Sequence, residues 1–123
     1  MDLAGASGIV YPTETLSLSD PFLANIKTCV YVLTGRPASR FRLDSPFHVC
    51  LYVGQTDISF ASCWAVLHSR DHRLSYYDQL AAHIWRNPEL VHIPLNRLDV
   101  QRDLISSLDP ICRPRDFAAD PLD

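Results

Sequence analysis

Five side chains with metal-binding or nucleophilic chemistry, His48, Cys50, Cys63, His68 and His72, fall within one stretch of this 123-residue chain. Imidazole and thiolate are the donors zinc takes, but structural zinc sites set them in pairs about two to four residues apart. Here twelve residues separate Cys50 from Cys63. Those two read more simply as small core hydrophobes, and His68 and His72 as solvated surface histidines. Arg36, Arg40 and Arg42 form the densest basic cluster and could meet phosphate or carboxylate oxygens, although a solvated loop accounts for them more simply. There are only four glycines, and the sequence contains no phosphate-cradling Gly-rich loop, no His-Glu-x-x-His and no nucleophile elbow. The remaining arrangement is "CLYVGQTD", residues 50 to 57, where an apolar run meets Gly54 and then polar residues, with a second tyrosine, Tyr31, upstream. By themselves Tyr31 and Tyr52 read as packed strand tyrosines, Gly54 as a strand-ending turn glycine, and Gln101 as a helix residue bonded to a nearby carbonyl.

The elements that must position these residues follow from pattern. "IKTCVYVLTG" is a β-branched and aromatic run ended by Thr-Gly and predicts a first strand. "GRPASRFRLDSPF" is a long connection, and "FHVCLYVG" predicts the antiparallel second strand. Phe60, Cys63, Trp64 and Leu67 recur at helical intervals and predict a first helix. A second helix is predicted from Ser75 as N-cap, with Tyr77, Leu80, Ala81 and Ile84 as its stripe. "NPELVHIPLN" returns to extended character as a third strand, put at an edge or ended by Pro94. In "NRLDVQRDLISSLDP", Asn96 caps a last helix with Asp99 in its first turn, and Asp109-Pro110 stops it. Leu98, Gln101, Ile105 and Leu108 are expected on one face of that helix, with Leu104 beside them. Trp64 and Trp85 are expected as core anchors on the two helices before the third strand.

The expected fold is therefore α+β, a small three-stranded antiparallel sheet flanked by helices in the order β-β-α-α-β-α. Residues 1–26 form an N-terminal arm without sustained period, 27–113 the domain, and 114–123 a C-terminal tail.

Composition bounds the function. The length suits one domain, and 47% hydrophobic residues suffice for a core. The net charge is -3 and Lys27 is the only lysine, which argues against a global electrostatic grip on nucleic acid. The four cysteines form no C-x-x-C pair, and "MDLAGASGIV" lacks the basic start and apolar run of a signal peptide. A reduced, cytoplasmic protein is expected. No apolar run approaches the roughly 20 residues that span a bilayer, so no membrane partner is expected.

The element order, with a tyrosine in each of the first two strands, resembles the GIY-YIG nuclease domain. "CVYVLTG" matches the GIY strand, "LYVGQTD" the YIG strand, and "RDLISSLDP" the family's closing helix; coverage runs from about Lys27 to Arg113. The resemblance implies two tyrosine hydroxyls near a scissile phosphate and a glycine that lets backbone and substrate approach. It further implies an arginine on the first helix, a metal-holding glutamate on the last, and an asparagine after the closing proline. Tyr31, Tyr52 and Gly54 match. The other positions depart: Cys29 stands for the first glycine, Cys63 or a neighbour for the arginine, Gln101 for the glutamate and Arg113 for the asparagine. Hard cations favour carboxylates over an amide, and single electrostatic groups are worth roughly 3 to 4 kcal/mol in other enzymes.

The catalytic positions Tyr31, Tyr52 and Gln101 are thus expected to be inactive, with Gly54, Arg36, Arg40, Arg42 and Arg113 as binding positions. No metal ligand set and no cofactor are expected. The implied function is a non-catalytic binding protein on a degenerate nuclease scaffold, with a protein partner favoured over nucleic acid; one version is an inhibitor or immunity-type partner. Two alternatives stay open. One is an active Mg²⁺-dependent endonuclease with a rearranged site, drawing its cation from Arg70 or Arg73 and its metal ligand from Asp99 or Asp103. The other is a nucleic-acid binder without cleavage. A helix turns about 100° per residue, which points both acids away from the Gln101 position.

Overall fold

The computed structural model describes residues 1–37, 48–70, 72–86 and 96–112, His72 by its backbone alone. The elements are β1 (Asp2–Ala4), β2 (Val10–Pro12), β3 (Glu14–Ser17), β4 (Cys29–Pro37), β5 (Val49–Thr56), α1 (Phe60–Arg70), β6 (Tyr77–Trp85) and α2 (Arg97–Leu108). Short 3-10 turns cover Pro21–Asn25 and His72–Tyr76. The fold is α+β with antiparallel sheets, as expected, but the main sheet has four strands, ordered β3-β6-β4-β5, and β1 and β2 form a separate hairpin.

Strand β4 is the spine. Its alternate residues feed two cores, as the period of two in an extended chain requires. Cys29, Tyr31 and Leu33 face one side with Phe60 and Leu67 of α1, and with Leu23, Ile26 and Leu74 from the two 3-10 turns and their flanks. Val30 and Val32 face the other side, with Val53, Trp85, Val100 and Leu104, and with Leu3 and Tyr11 from the hairpin. The sheet is thus covered by α1 on one face and by α2 with β1–β2 on the other.

A β-bulge precedes Tyr52. Leu33 pairs with Tyr52 and Thr34 with Cys50, so Leu51 is the extra residue. Leu51 and Tyr52 therefore enter the same core although they are adjacent in sequence.

Local signals explain both helices. Ser59 Oγ accepts from the Ser62 amide at 3.3 Å at the start of α1, and Thr56 Oγ1 accepts from the Ile58 and Ser59 amides. Phe60 and Leu67 are buried with Cys63 and Trp64 half-buried, which is the expected face. Asn96 caps α2 by accepting from the Leu98 amide at 2.8 Å, and Asp109 closes it in the left-handed region at φ 47°. The inward face of α2 is rotated from the expected one. Val100, Gln101 and Leu104 are buried, Ile105 and Leu108 lie at the margin, and Leu98 is exposed.

Two expectations are overturned. The predicted second helix is strand β6, hydrogen-bonded between β3 and β4, with Ser75 in the preceding 3-10 turn. Its apolar spacing looked helical because of a register shift opposite Thr34–Arg36, with Gln79 at φ 54°. That extra residue puts Tyr77, Leu80, Ala82 and Ile84 on one core face, so an alternating strand shows a three-residue step. Trp85 is a core anchor as expected, but on a strand. Residues 1–26, expected as an irregular arm, supply β1, β2 and β3, and bury Leu3, Tyr11, Leu23 and Ile26. The expected third strand at 88–95 and the tail from 114 lie outside the described residues. Among the described residues no helix is long and apolar enough to cross a membrane.

Candidate functional site

Tyr31 and Tyr52 meet as the two-strand pairing dictates. Their rings lie 6.0 Å apart, centroid to centroid, at 26°. Phe60 of α1 stands edge-on to Tyr31 at 5.0 Å. Both tyrosines are buried, at 3% and 4% exposure, so neither ring opens to solvent. Gly54 sits opposite Tyr31 in the ladder, and a Cβ there would run into the Tyr31 Cζ and hydroxyl. Its lack of a side chain is therefore required by the ring, not by a turn.

Burial pushes the Tyr31 phenol well above the ordinary range, with Tyr52 and Cys63 adding in the same direction. A phenol that resists ionisation and is sealed beneath a helix is a poor partner for attacking water. Cys29, at the position of the family's first glycine, is buried beside them, and burial pushes its thiol to about 12. Thiolate chemistry is disfavoured there as well.

Gln101 is not part of this cluster. It is carried by α2, whose inward residues Val100 and Leu104 belong to the opposite core, and its Nε2 donates to the Val53 carbonyl at 3.1 Å. That carbonyl lies on β5, the end strand of the sheet. The Ile111 and Cys112 amides likewise donate to the Cys50 and Leu51 carbonyls. Together the three donors cover an edge that would otherwise offer unpaired acceptors.

The other expected positions disperse. Arg36 lies near the end of β4, half-buried and opposite Asp78, while Arg40, Arg42 and Arg113 lie outside the described residues. Arg70 ends α1 on the surface, and Asp99 is exposed in the first turn of α2. Asp103 has a different task. Its carboxylate accepts from the Ser7 amide (2.8 Å), the Ser7 hydroxyl (2.6 Å) and the Tyr11 hydroxyl (2.6 Å), clamping the N-terminal hairpin to α2. These hydrogen bonds, Ser7's first, hold the carboxyl below its ordinary range.

Gln101 is committed to a carbonyl, and among the described residues no three His, Cys, Asp or Glu side chains gather for a metal. Of the zinc-type residues, Cys63 and His68 belong to α1, where His68 packs against Trp64 at 5.2 Å, while His48 and Cys50 line a cavity elsewhere.

That cavity, of about 370 Å³, also holds residues that sequence reasoning missed. Leu3, Val32, Val49 and Leu108 give it apolar walls, with Thr34, His48 and His83 among its polar groups. His83 is buried on β6 between two hydroxyls, Thr15 Oγ1 at 2.9 Å from Nδ1 and Thr34 Oγ1 at 2.9 Å from Nε2. Burial keeps its imidazole below the ordinary histidine range, and the Met1 ammonium and His48 act the same way. No motif marks this triplet, because Thr15, Thr34 and His83 meet only through the β3-β6-β4 strand order.

No family model, curated protein or solved structure matches the chain.

Proposed function

We propose that this chain is a non-catalytic binding protein whose partner is another protein, built on a degenerate GIY-YIG-like scaffold. The observation that carries the proposal is the burial of both phenols in the core, Tyr31 against Phe60 and Tyr52 against Tyr31. A phosphodiester cannot approach hydroxyls enclosed in a core, and the residue at the metal-holding position is a neutral amide whose Nε2 donates to Val53. Support for a protein partner comes from the surface. Arg97 bonds Gln55 at 3.3 Å and reaches Asp57 at 3.9 Å, which brings the start of α2 to the turn before α1. The next residues along the chain, Ile58 and Leu98, are 75% and 40% exposed at that junction. Apolar side chains beside a partly exposed ion pair suit a docking patch with a polar rim. The four free cysteines agree with a reducing compartment.

The test pairs two measurements. Purified protein incubated with plasmid and Mg²⁺ or Mn²⁺ leaves it intact, and affinity capture recovers one stoichiometric protein that an Ile58→Asp, Leu98→Asp double variant fails to retain. Cleavage abolished by Tyr52→Phe overturns the proposal, and so does equal capture by wild type and variant.

A further inference from the structure

We propose that the cavity bounded by Leu3, Val32, Val49 and Leu108 is a binding site for a small uncharged molecule, mostly hydrocarbon, carrying one hydroxyl directed at Thr34. This goes beyond the protein-partner proposal and does not depend on it.

Size sets the first constraint. A volume of about 370 Å³ is more than twice the roughly 150 Å³ that suffices to hold benzene, so a substituted single ring or two fused rings fit. Apolar walls with a few convergent polar groups are the usual makeup of a small-molecule site.

Charge sets the second. Among the described lining residues there is no carboxylate and no guanidinium. The Met1 ammonium donates to the Thr13 carbonyl at 2.9 Å, and Cys50, also in the wall, has its thiol raised by burial to about 12. A cationic ligand would lose its hydration for no opposite charge and an anionic one would find only the Met1 ammonium, already engaged by Thr13, whereas a neutral one loses little.

Hydrogen bonding sets the third. With the proton on Nδ1, His83 donates to Thr15 and accepts from the Thr34 hydroxyl, leaving Thr34 Oγ1 as an acceptor. With the proton on Nε2, His83 donates to Thr34, leaving that hydroxyl free to donate. Thr34 itself lines the cavity. A ligand hydroxyl, which donates and accepts, satisfies Thr34 in either tautomer, whereas an ether or an amine proton satisfies one.

The test compares thymol with p-cymene, the same hydrocarbon without the hydroxyl, by amide NMR shifts of the full chain. Expected are saturable shifts at Leu3, Val32, Val49 and Leu108, with thymol bound about tenfold tighter than p-cymene, the worth of one hydrogen bond. Thr34→Val removes the preference for thymol, and Ala81→Leu, which puts a larger side chain on the wall, abolishes binding of both. Should Thr34→Val fail to fold, the two ligands on the wild-type protein decide the matter. No saturable shift, shifts elsewhere, or equal affinity for both ligands overturns the assignment.

Discussion

The side-chain amide of Gln101 donates to the main-chain carbonyl of Val53 at 3.1 Å, with Gln101 buried at 8% exposure. One hydrogen bond thus fixes the last helix against the edge strand. Gln101→Leu is expected to lower stability by about 1–3 kcal/mol by leaving the carbonyl unpaired, read as a lower urea midpoint at unchanged slope. Gln101→Glu sets a carboxylate against that carbonyl and is expected to cost at least as much without conferring cleavage. Plasmid cutting by Gln101→Glu with Mg²⁺ would contradict this.

Gly54→Ala places a methyl where the Tyr31 ring lies. The ring is held by Phe60 and Tyr52, so it has little room to retreat. A loss of about 1–3 kcal/mol is expected, as for overpacking elsewhere, and Tyr31→Leu in the same chain should restore part of it. Thermal melts of the two single variants and the double variant decide.

His83 gives stability a dependence on pH. Its folded-state pKa is depressed, so the unfolded chain takes up the proton first. The contribution is complete above the unfolded value near 6.5. It declines as pH falls from there towards the folded value, by at most about 1.4 kcal/mol per pH unit. Urea midpoints measured across that range should show a slope that His83→Gln loses.

The phenols give the opposite dependence in alkali. Burial, then the Asp103 hydrogen bond, pushes Tyr11 to about 12, and burial carries Tyr31 higher still. Unfolded phenols ionise near 10, so stability falls as pH rises above that value. Phenolate absorbance is expected to lag for these two tyrosines until far-UV circular dichroism reports unfolding. Complete ionisation of all five tyrosines in a folded chain would refute the burial.

Asp103 acts at the acid end. Its carboxyl is held low by Ser7 and Tyr11, so its contribution is present above the unfolded value of about 3.9. That contribution is lost as pH falls through the folded value. Asp103→Ala is expected to speed hydrogen exchange at the Ser7 amide and to cost about 1 kcal/mol, a modest figure because the carboxylate is partly solvated. Unchanged exchange at Ser7 would refute the clamp.

What the sequence made legible follows physical range. Strands β4 and β5 and both helices rest on local signals: β-branched runs, a period of 3.6, and the caps at Asn96 and Asp109. The bond of Gln101 to a carbonyl and the packing of Tyr31 and Tyr52 were legible because buried polar groups need partners and aromatics fill cores. Strand β6 was not, because one extra residue at Gln79 imitates a helical step. Strands β1 to β3 were not either, since three or four residues carry no period, and what holds them, β6 for β3 and α2 for the β1–β2 hairpin, lies far along the chain. The His83 triplet was hidden for the same reason, each member sitting on a different strand.

The Asp103 clamp also orders events during biosynthesis. Ser7 and Asp103 are 96 positions apart, and ribosomes add roughly 5–20 residues per second. The opening hairpin therefore leaves the exit tunnel seconds before its anchor exists, and during that interval Leu3 and Tyr11 lack the α2 side of their core, Val100 and Leu104. Nascent chains stalled short of Asp103 should accordingly be bound by chaperones at the N-terminal end and released once α2 emerges.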